Sequence, residues 1–130
     1  MILFPFIIAA TATAAAAAQT RVPKEALKFG AVTSDHMLDI DWSHEYGWTS
    51  PRIIPYAPLQ LDPTASCLHY GIEAFEGMKA FINETTGIPY LFRPELNMNR
   101  LNNSMVRLAL PPLDKQGFLN CIKELVKLDK

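Results

Sequence analysis

Three arginines spaced evenly along the second half of the sequence are the side chains best suited to holding an anion. Arg93, Arg100 and Arg107 recur every seven residues, so they are expected on one face of a long helix or at its start. A guanidinium presents a planar fork of N–H donors that matches two oxygens of a phosphate or a carboxylate. Most basic stripes of this kind are solvated helix faces, and spacing alone leaves both interpretations open.

A second candidate is the stretch from Cys67 to Phe81, which reads CLHYGIEAFEGMKAF. It is rich in aromatic and acidic residues, and it is predicted to pass from a helix to a strand through Gly77. Tyr70 and Phe75 carry rings that could line an apolar pocket, although their spacing alone favours ordinary core packing. The pattern therefore indicates a candidate binding segment without choosing between these two roles.

The sequence lacks the motifs of several common reaction types. It contains no G-x-S-x-G, no Walker-type loop and no H-E-x-x-H. The histidines, His36, His44 and His69, fall in different predicted elements without metal-ligand spacing, so structural roles are favoured and no metal site is predicted. The cysteines, Cys67 and Cys121, are not at C-x-x-C spacing and are predicted to be reduced thiols that pack as small hydrophobic groups.

The overall composition is that of an ordinary globular protein. The chain has 130 residues, of which 49% are hydrophobic and 19% are charged. This length supports one substantial domain rather than two. The formal net charge of -1 gives no general electrostatic attraction to nucleic acid or to an acidic membrane surface, so neither partner is predicted.

The first 20 residues differ in character from the rest. Residues 1–20 carry no charge, and an apolar opening is followed by a run of alanine and threonine that ends at Ala18. A secretory signal and a mitochondrial presequence both lack the basic residues they need before Arg21, and Pro5 weakens a membrane-spanning helix. We therefore expect residues 1–28 to be a leader or a non-homologous extension outside the fold, with a membrane anchor disfavoured.

Periodicity and turn residues in the remaining chain predict a mixed α/β fold. Two β-rich runs flank a loop that contains Gly87, which is typical of a hairpin, and Pro89 is expected at an edge or a strand start. Pro94 is predicted in the first turn of a helix that ends at Pro111. Asp114 is predicted to cap a second helix, whose apolar stripe reaches the last residues and predicts that the natural protein continues. The predicted elements are a strand region within 32–42, an edge strand or extended arm over 52–61, a short helix over 65–75, and hairpin strands over 78–82 and 88–92. The two long helices are predicted from apolar stripes, which are Met98, Leu101, Met105 and Leu108 in the first and Phe118, Ile122, Leu125 and Leu128 in the second.

The stretch from Leu68 to Phe81 resembles the signature segment of the branched-chain amino acid aminotransferases in their eukaryotic form. Three further pieces match in the same order: Phe29-Gly30 before DHML at 35–38, Gly47-Trp48 before PRI at 51–53, and LFRP at 91–94 before LNMNR at 96–100. The resemblance covers residues 29–130. It implies the small N-terminal domain of a fold type IV pyridoxal-phosphate enzyme, of the α+β type, in which a hairpin or sheet packs against helices.

The resemblance also implies an activity and a site. The family transfers an amino group between Leu, Ile or Val and 2-oxoglutarate through pyridoxal 5'-phosphate. By resemblance, Arg100 matches the arginine that binds the cofactor phosphate, and Phe29, Tyr70 and Phe75 match rings that line the pocket for the branched side chain. Such an apolar pocket binds side chains with methyl groups more tightly than polar side chains. A homodimer in the cytoplasm or the mitochondrion is implied as well, and the leader does not choose between these compartments.

The lysine that forms the Schiff base with the cofactor lies in the larger C-terminal domain of these enzymes. No lysine of this sequence stands in a matching context: Lys24, Lys28, Lys79, Lys115, Lys123, Lys127 and Lys130. The resemblance therefore predicts that this chain contributes part of the substrate pocket and the phosphate contact, and that alone it is inactive. The alternative is a non-catalytic small-domain module that binds a full-length subunit, or an inactive truncated product.

Overall fold

A computed structural model describes residues 22–28 and 30–130. Within the first of these ranges, Lys24–Ala26 form a single 3-10 turn. The leader predicted for residues 1–28 falls mostly outside the described residues. Phe29, which the resemblance assigns to the substrate pocket, also lies outside them.

The described residues form a small mixed α/β arrangement, as the sequence predicts. The strands make three antiparallel pairs, β1–β4, β2–β3 and β5–β6. The strands are β1 (His36–Asp39), β2 (Trp42–Ser43), β3 (Gly47–Trp48), β4 (Arg52–Pro55), β5 (Ala80–Ile82) and β6 (Pro89–Leu91), and the helices are α1 (Ser66–Tyr70), α2 (Pro94–Arg107) and α3 (Lys115–Leu128).

The β1–β4 pair encloses the short β2–β3 hairpin. Asp39 lies opposite Arg52 in the strand register, and their side chains form an ion pair. The strand region predicted over 32–42 contains β1, and the edge strand or extended arm predicted over 52–61 contains β4, but both observed strands are shorter than these ranges. β4 ends at Pro55, which has no backbone N–H. The Tyr56 N–H still donates to the Asp35 carbonyl at 2.8 Å, and Pro58, which again lacks an N–H, follows soon after.

Helix α1 is shorter than its sequence predicts. The predicted helix over 65–75 is wrong beyond Tyr70, because Gly71 adopts a left-handed backbone conformation (φ 60°) and ends the helix. Residues 71–79 have no regular secondary structure and lead into β5. Phe75 and Glu76 therefore lie on an irregular segment, which we call the 71–79 segment, rather than on a helix.

The predicted β5–β6 hairpin is confirmed. The Asn83 side-chain oxygen accepts the backbone N–H groups of Thr85 at 2.9 Å and Thr86 at 3.0 Å, which fixes the loop. Pro89 is the first residue of β6, where a missing N–H is tolerated, as predicted. On one face of the hairpin the rings of Phe81 and Tyr90 stack with their centroids 5.7 Å apart.

Helix α2 begins at Pro94 as predicted but ends at Arg107, before the prolines that were expected to stop it. The end is a Schellman motif, in which Leu110 N–H donates to the Met105 carbonyl at 2.8 Å and Ala109 N–H donates to Val106 at 3.1 Å. Ala109 takes the left-handed position (φ 56°) that glycine usually fills in this motif. The local backbone geometry therefore ends the helix.

Helix α3 begins at the predicted cap, where the Asp114 carboxylate accepts the Gln116 backbone N–H at 3.2 Å. It packs against α2 and β1. The most buried side chain of the helix is Leu119, which is 1% exposed and was missing from the predicted stripe, whereas Leu128 is 55% exposed. The buried hydrophobic side chains of the described residues, Met98, Met105 and Leu119, centre the core on the α2–α3 contact.

Candidate functional site

Arg100 and Glu76 form an ion pair where the 71–79 segment meets α2. Arg100 Nε donates to Glu76 Oε2 at 3.1 Å, and Arg100 Nη2 donates to Glu76 Oε1. The arginine side chain is 60% exposed, whereas the glutamate side chain is 12% exposed. The carboxylate is thus sheltered by the protein, and the guanidinium extends from it towards solvent.

Asn97 supports this pair from the same side of the helix. It lies three residues before Arg100 on α2, a spacing that places both side chains on one helix face. Its Nδ2 donates to Glu76 Oε1 and to the Gly77 carbonyl, each at 2.8 Å. The irregular 71–79 segment is therefore attached to α2 by side chains of the helix.

The electrostatics of the pair favour two charged groups. The hydrogen bond from Arg100 lowers the pKa of the Glu76 carboxyl group from its ordinary value; desolvation opposes this effect and the Asn97 hydrogen bond adds to it. The hydrogen bond to Glu76 in turn raises the pKa of Arg100. Both side chains are therefore ionised at neutral pH, and the hydrogen bonds between them are charge-assisted.

The other two arginines of the predicted stripe do not share this site. Arg93 precedes the helix with a left-handed backbone (φ 49°), and Arg107 is the last residue of α2. A helix rises about 1.5 Å per residue, so Arg107 lies roughly 10 Å from Arg100 along the axis. Arg93 and Arg107 are exposed, and the solvated interpretation suits them. One anion can be held by Arg100 but not by all three arginines.

The predicted pocket aromatics are on the surface of the described structure. Tyr70 is 81% exposed at the end of α1, and Phe75 is 85% exposed on the 71–79 segment. The interpretation of these rings as ordinary core residues is therefore wrong for this chain. Phe75 directly precedes Glu76, and its ring tip lies 3.7 Å from where a Cβ on Gly77 would stand. An exposed ring and the arginine's carboxylate partner thus occupy adjacent positions on one segment.

Two clefts among the described residues lie elsewhere. One, of about 300 Å³, lies between β1, α2 and α3, and the other, of about 460 Å³, lies beside the start of α3. Neither is lined by Tyr70, Phe75 or Arg100. Within the described residues, the aromatic and arginine candidates are exposed side chains that line neither of these two clefts.

Three further observations concern metals, thiols and membranes. Over residues 22–28 and 30–130, no group of three or more His, Cys, Asp or Glu side chains is placed to hold a metal ion. Cys67 and Cys121 are free and half-buried, and burial raises the pKa of the Cys121 thiol. None of the helices in the described part of the chain has the length and hydrophobicity needed to span a membrane.

Sequence reasoning missed Glu76 and Asn97 as members of the site. Glu76 stands in the signature stretch, but nothing in the pattern paired it with an arginine 24 positions later. The available signal was the i, i+3 spacing of Asn97 and Arg100 on a predicted helix, which brings an amide and a guanidinium to the same face. Glu76, the residue that this helix face contacts, can be identified only from the folded structure.

No family model matches the chain. Individual relatives do. It is 54% identical over 110 residues to a branched-chain-amino-acid aminotransferase of Monosiga brevicollis, a match that covers 85% of this chain and 28% of the relative. It is 47% identical over 114 residues to branched-chain-amino-acid aminotransferase 2 of Bacillus subtilis (strain 168), covering 85% of this chain and 31% of the relative.

The relatives include forms from two compartments. The cytosolic branched-chain-amino-acid aminotransferase of Ovis aries is 52% identical over 104 residues, covering 80% of this chain and 27% of the relative. The mitochondrial form of Mus musculus is 46% identical over 108 residues, covering 83% of this chain and 27% of the relative. The chain belongs to the branched-chain-amino-acid aminotransferase family, and it spans between 27% and 31% of the length of these four relatives.

Proposed function

We propose that this chain is part of a pyridoxal-phosphate enzyme that transfers an amino group between Leu, Ile or Val and 2-oxoglutarate. The observation that carries the proposal is the 54% identity to a branched-chain-amino-acid aminotransferase over 110 residues. In this proposal, residues 29–130 form the small domain of a fold type IV enzyme that works as a homodimer, and residues 1–28 lie outside it. The coarse architecture of paired short strands and two packed helices supports that assignment.

Arg100 is proposed to bind the phosphate of the cofactor. Its guanidinium is charged, 60% exposed, and has N–H groups that Glu76 does not use, so its donor chemistry fits a phosphate oxygen. One arginine is only part of a phosphate site, and the remaining donors would come from elsewhere in the enzyme. When bound, pyridoxal phosphate supplies an electron sink that stabilises negative charge at the substrate Cα.

Tyr70 and Phe75, together with Phe29, are proposed to line the pocket for the branched side chain. The exposure of Tyr70 and Phe75 supports this role, because a ring that is already buried in the core offers no surface to a substrate. An apolar surface favours Leu, Ile and Val over polar amino acids by burial of methyl groups. Exclusion of water from that surface is the contribution expected of these side chains.

The first test is an activity measurement on the complete protein. With pyridoxal phosphate and 2-oxoglutarate present, we expect it to convert leucine to its 2-oxo acid, whereas the 130-residue chain alone converts none. An inactive complete protein that retains pyridoxal phosphate would reject the substrate assignment. A complete protein that neither binds the cofactor nor transfers an amino group would reject the proposed function as a whole.

The second test addresses Arg100 directly. Arg100→Ala in the complete protein should lower retention of pyridoxal phosphate during dialysis by about tenfold or more, because a charge-assisted contact to a dianion is lost. Arg107→Ala is the matched control, since it removes the same charge from the far end of the same helix. Equal retention by the two variants would remove Arg100 from the phosphate site.

A further inference from the structure

Glu76 uses both of its carboxylate oxygens on α2 side chains. Oε2 accepts Arg100 Nε, and Oε1 accepts both Arg100 Nη2 and Asn97 Nδ2. The side chain is 12% exposed, so the carboxylate is held in place on one side while the guanidinium on its other side stays open to solvent. The acceptor is therefore fixed more firmly than the donor it binds.

The geometry leaves a specific part of the guanidinium available. Glu76 takes the edge formed by Nε and Nη2. The opposite edge, formed by Nη1 and the second N–H of Nη2, has no acceptor among the described residues. That edge is one that binds two phosphate oxygens in parallel. Binding by Glu76 on one edge therefore directs the other edge outward.

A fixed orientation matters because arginine has a long, flexible side chain. Immobilising such a side chain costs conformational entropy, and a ligand that has to order it binds more weakly. A carboxylate that already holds the guanidinium removes part of this cost before the ligand arrives. The negative charge of the carboxylate repels an incoming anion. The orienting effect therefore increases the affinity for the anion only if it exceeds this repulsion.

We propose that Glu76 is a positioning residue, which orients the guanidinium of Arg100 for a phosphate group through the contacts to Nε and Nη2. This inference rests on the proposed function, because it takes the phosphate to be that of pyridoxal phosphate. Asn97 holds the carboxylate from its other side and attaches it to the Gly77 backbone. The alternative is that the pair only joins the 71–79 segment to α2.

The test compares two probes that differ by the phosphate. Dissociation constants of pyridoxal phosphate and of pyridoxal are measured for the complete protein freed of cofactor, in the wild type and in Glu76→Gln. We expect pyridoxal phosphate to bind about tenfold more weakly to the variant, because hydrogen bonds to a charged group are lost. Pyridoxal binding should change by less than about twofold, because the probe has no phosphate for Arg100 to hold.

One control and one further test variant separate this effect from damage to the fold. Glu124→Gln removes an exposed carboxylate that pairs with Lys127 on α3, and it should change neither constant. Asn97→Ala keeps both charges but removes the amide that holds Glu76, so it should weaken pyridoxal phosphate selectively, to a smaller extent. If Glu76→Gln does not fold, the two dissociation constants of Asn97→Ala still test the proposal.

A double variant checks that Glu76 acts through Arg100. In an Arg100→Ala background, Glu76→Gln should cause no further selective loss of pyridoxal phosphate. Equal weakening of both probes by Glu76→Gln and Asn97→Ala would show a purely structural contact and overturn the proposal, as would no weakening of either. If the wild-type protein fails to bind pyridoxal phosphate at all, the proposed function fails first, and that result is distinct from either of these.

Discussion

The carboxylate of Asp129 contacts His36 twice, although the two residues lie far apart in the sequence. Asp129 Oδ1 lies 2.6 Å from His36 Nδ1, and Asp129 Oδ2 accepts the backbone N–H of His36 at 2.9 Å. His36 is the first residue of β1, and Asp129 follows the last turn of α3. Residues 93 positions apart are therefore joined, and the end of α3 is attached to the start of the β1–β4 pair.

Asp129→Ala should destabilise the protein by about 1–2 kcal/mol, because a half-buried imidazole and a backbone N–H lose their acceptor together. The free energy of urea-induced unfolding measures the loss. Lys127→Ala is the control, since it breaks an exposed pair with Glu124 that is expected to contribute about 0.5 kcal/mol or less. Equal losses in the two variants would mean that the Asp129–His36 link contributes no more than a surface ion pair.

Ala109→Gly should stabilise the protein by about 1 kcal/mol, because glycine takes the left-handed conformation at the end of α2 without the steric penalty of a Cβ. The same measurement of unfolding free energy applies. Ala80→Gly is the matched control: Ala80 lies in β5, where glycine weakens the strand and should lower stability. A loss of stability in both variants would contradict the assignment of strain to Ala109.

Elements that depend on neighbouring residues could be predicted from the sequence, whereas features that depend on the folded structure could not. The β5–β6 hairpin and the Asp114 cap depend on neighbours a few positions away, so local patterns were sufficient to predict them. The end of α2 could not be predicted, because the Schellman motif places alanine where glycine is expected. Leu119 was missed because burial on α3 is set by contact with α2 and β1, and the periodicity of α3 alone does not determine where those contacts fall.

In the candidate site, too, the individual residues could be selected from the sequence, but the contact between them could not be predicted. Arg100 and the two aromatic residues were selected by resemblance, and the structure gives their exposure without testing their roles. The Glu76 pairing depends on the path of the 71–79 segment after Gly71 ends α1. A predicted helix through this segment gives no basis for that contact, so the partner of Arg100 could not be found from periodicity.

Phe75→Ala in the complete protein should lower kcat/KM for leucine by about tenfold or more, and for alanine by much less, because only the larger side chain uses the apolar surface. Steady-state transamination with both substrates measures the ratio. Phe92→Ala, at another exposed ring beside the β5–β6 hairpin, is the control and should leave the ratio unchanged. If leucine and alanine lose activity equally in Phe75→Ala, the ring has no part in side-chain selection.

The Arg100–Glu76 pair should make the free energy of unfolding depend on pH, with the stabilisation by the pair lost at low pH. The pKa of Glu76 is lowered in the folded protein from its ordinary value of 4.5, chiefly by the Arg100 hydrogen bond, so the folded state favours the ionised form. The stabilising contribution is therefore complete above pH 4.5, and it is lost as the pH falls through the lowered folded pKa. Below that pH the carboxyl group is protonated in both the folded and the unfolded states.

The measurement is the urea midpoint of the wild type and of Glu76→Gln across the acid range. We expect the wild type to be more stable at neutral pH and the difference between the two midpoints to shrink as the solution is acidified. Glu124→Gln should show a smaller difference at neutral pH, because its pair with Lys127 is exposed on both sides. A difference between wild type and Glu76→Gln that stays constant from neutral to acidic pH would contradict an ionised Glu76, because glutamine cannot titrate and only loss of the wild-type charge can close the gap.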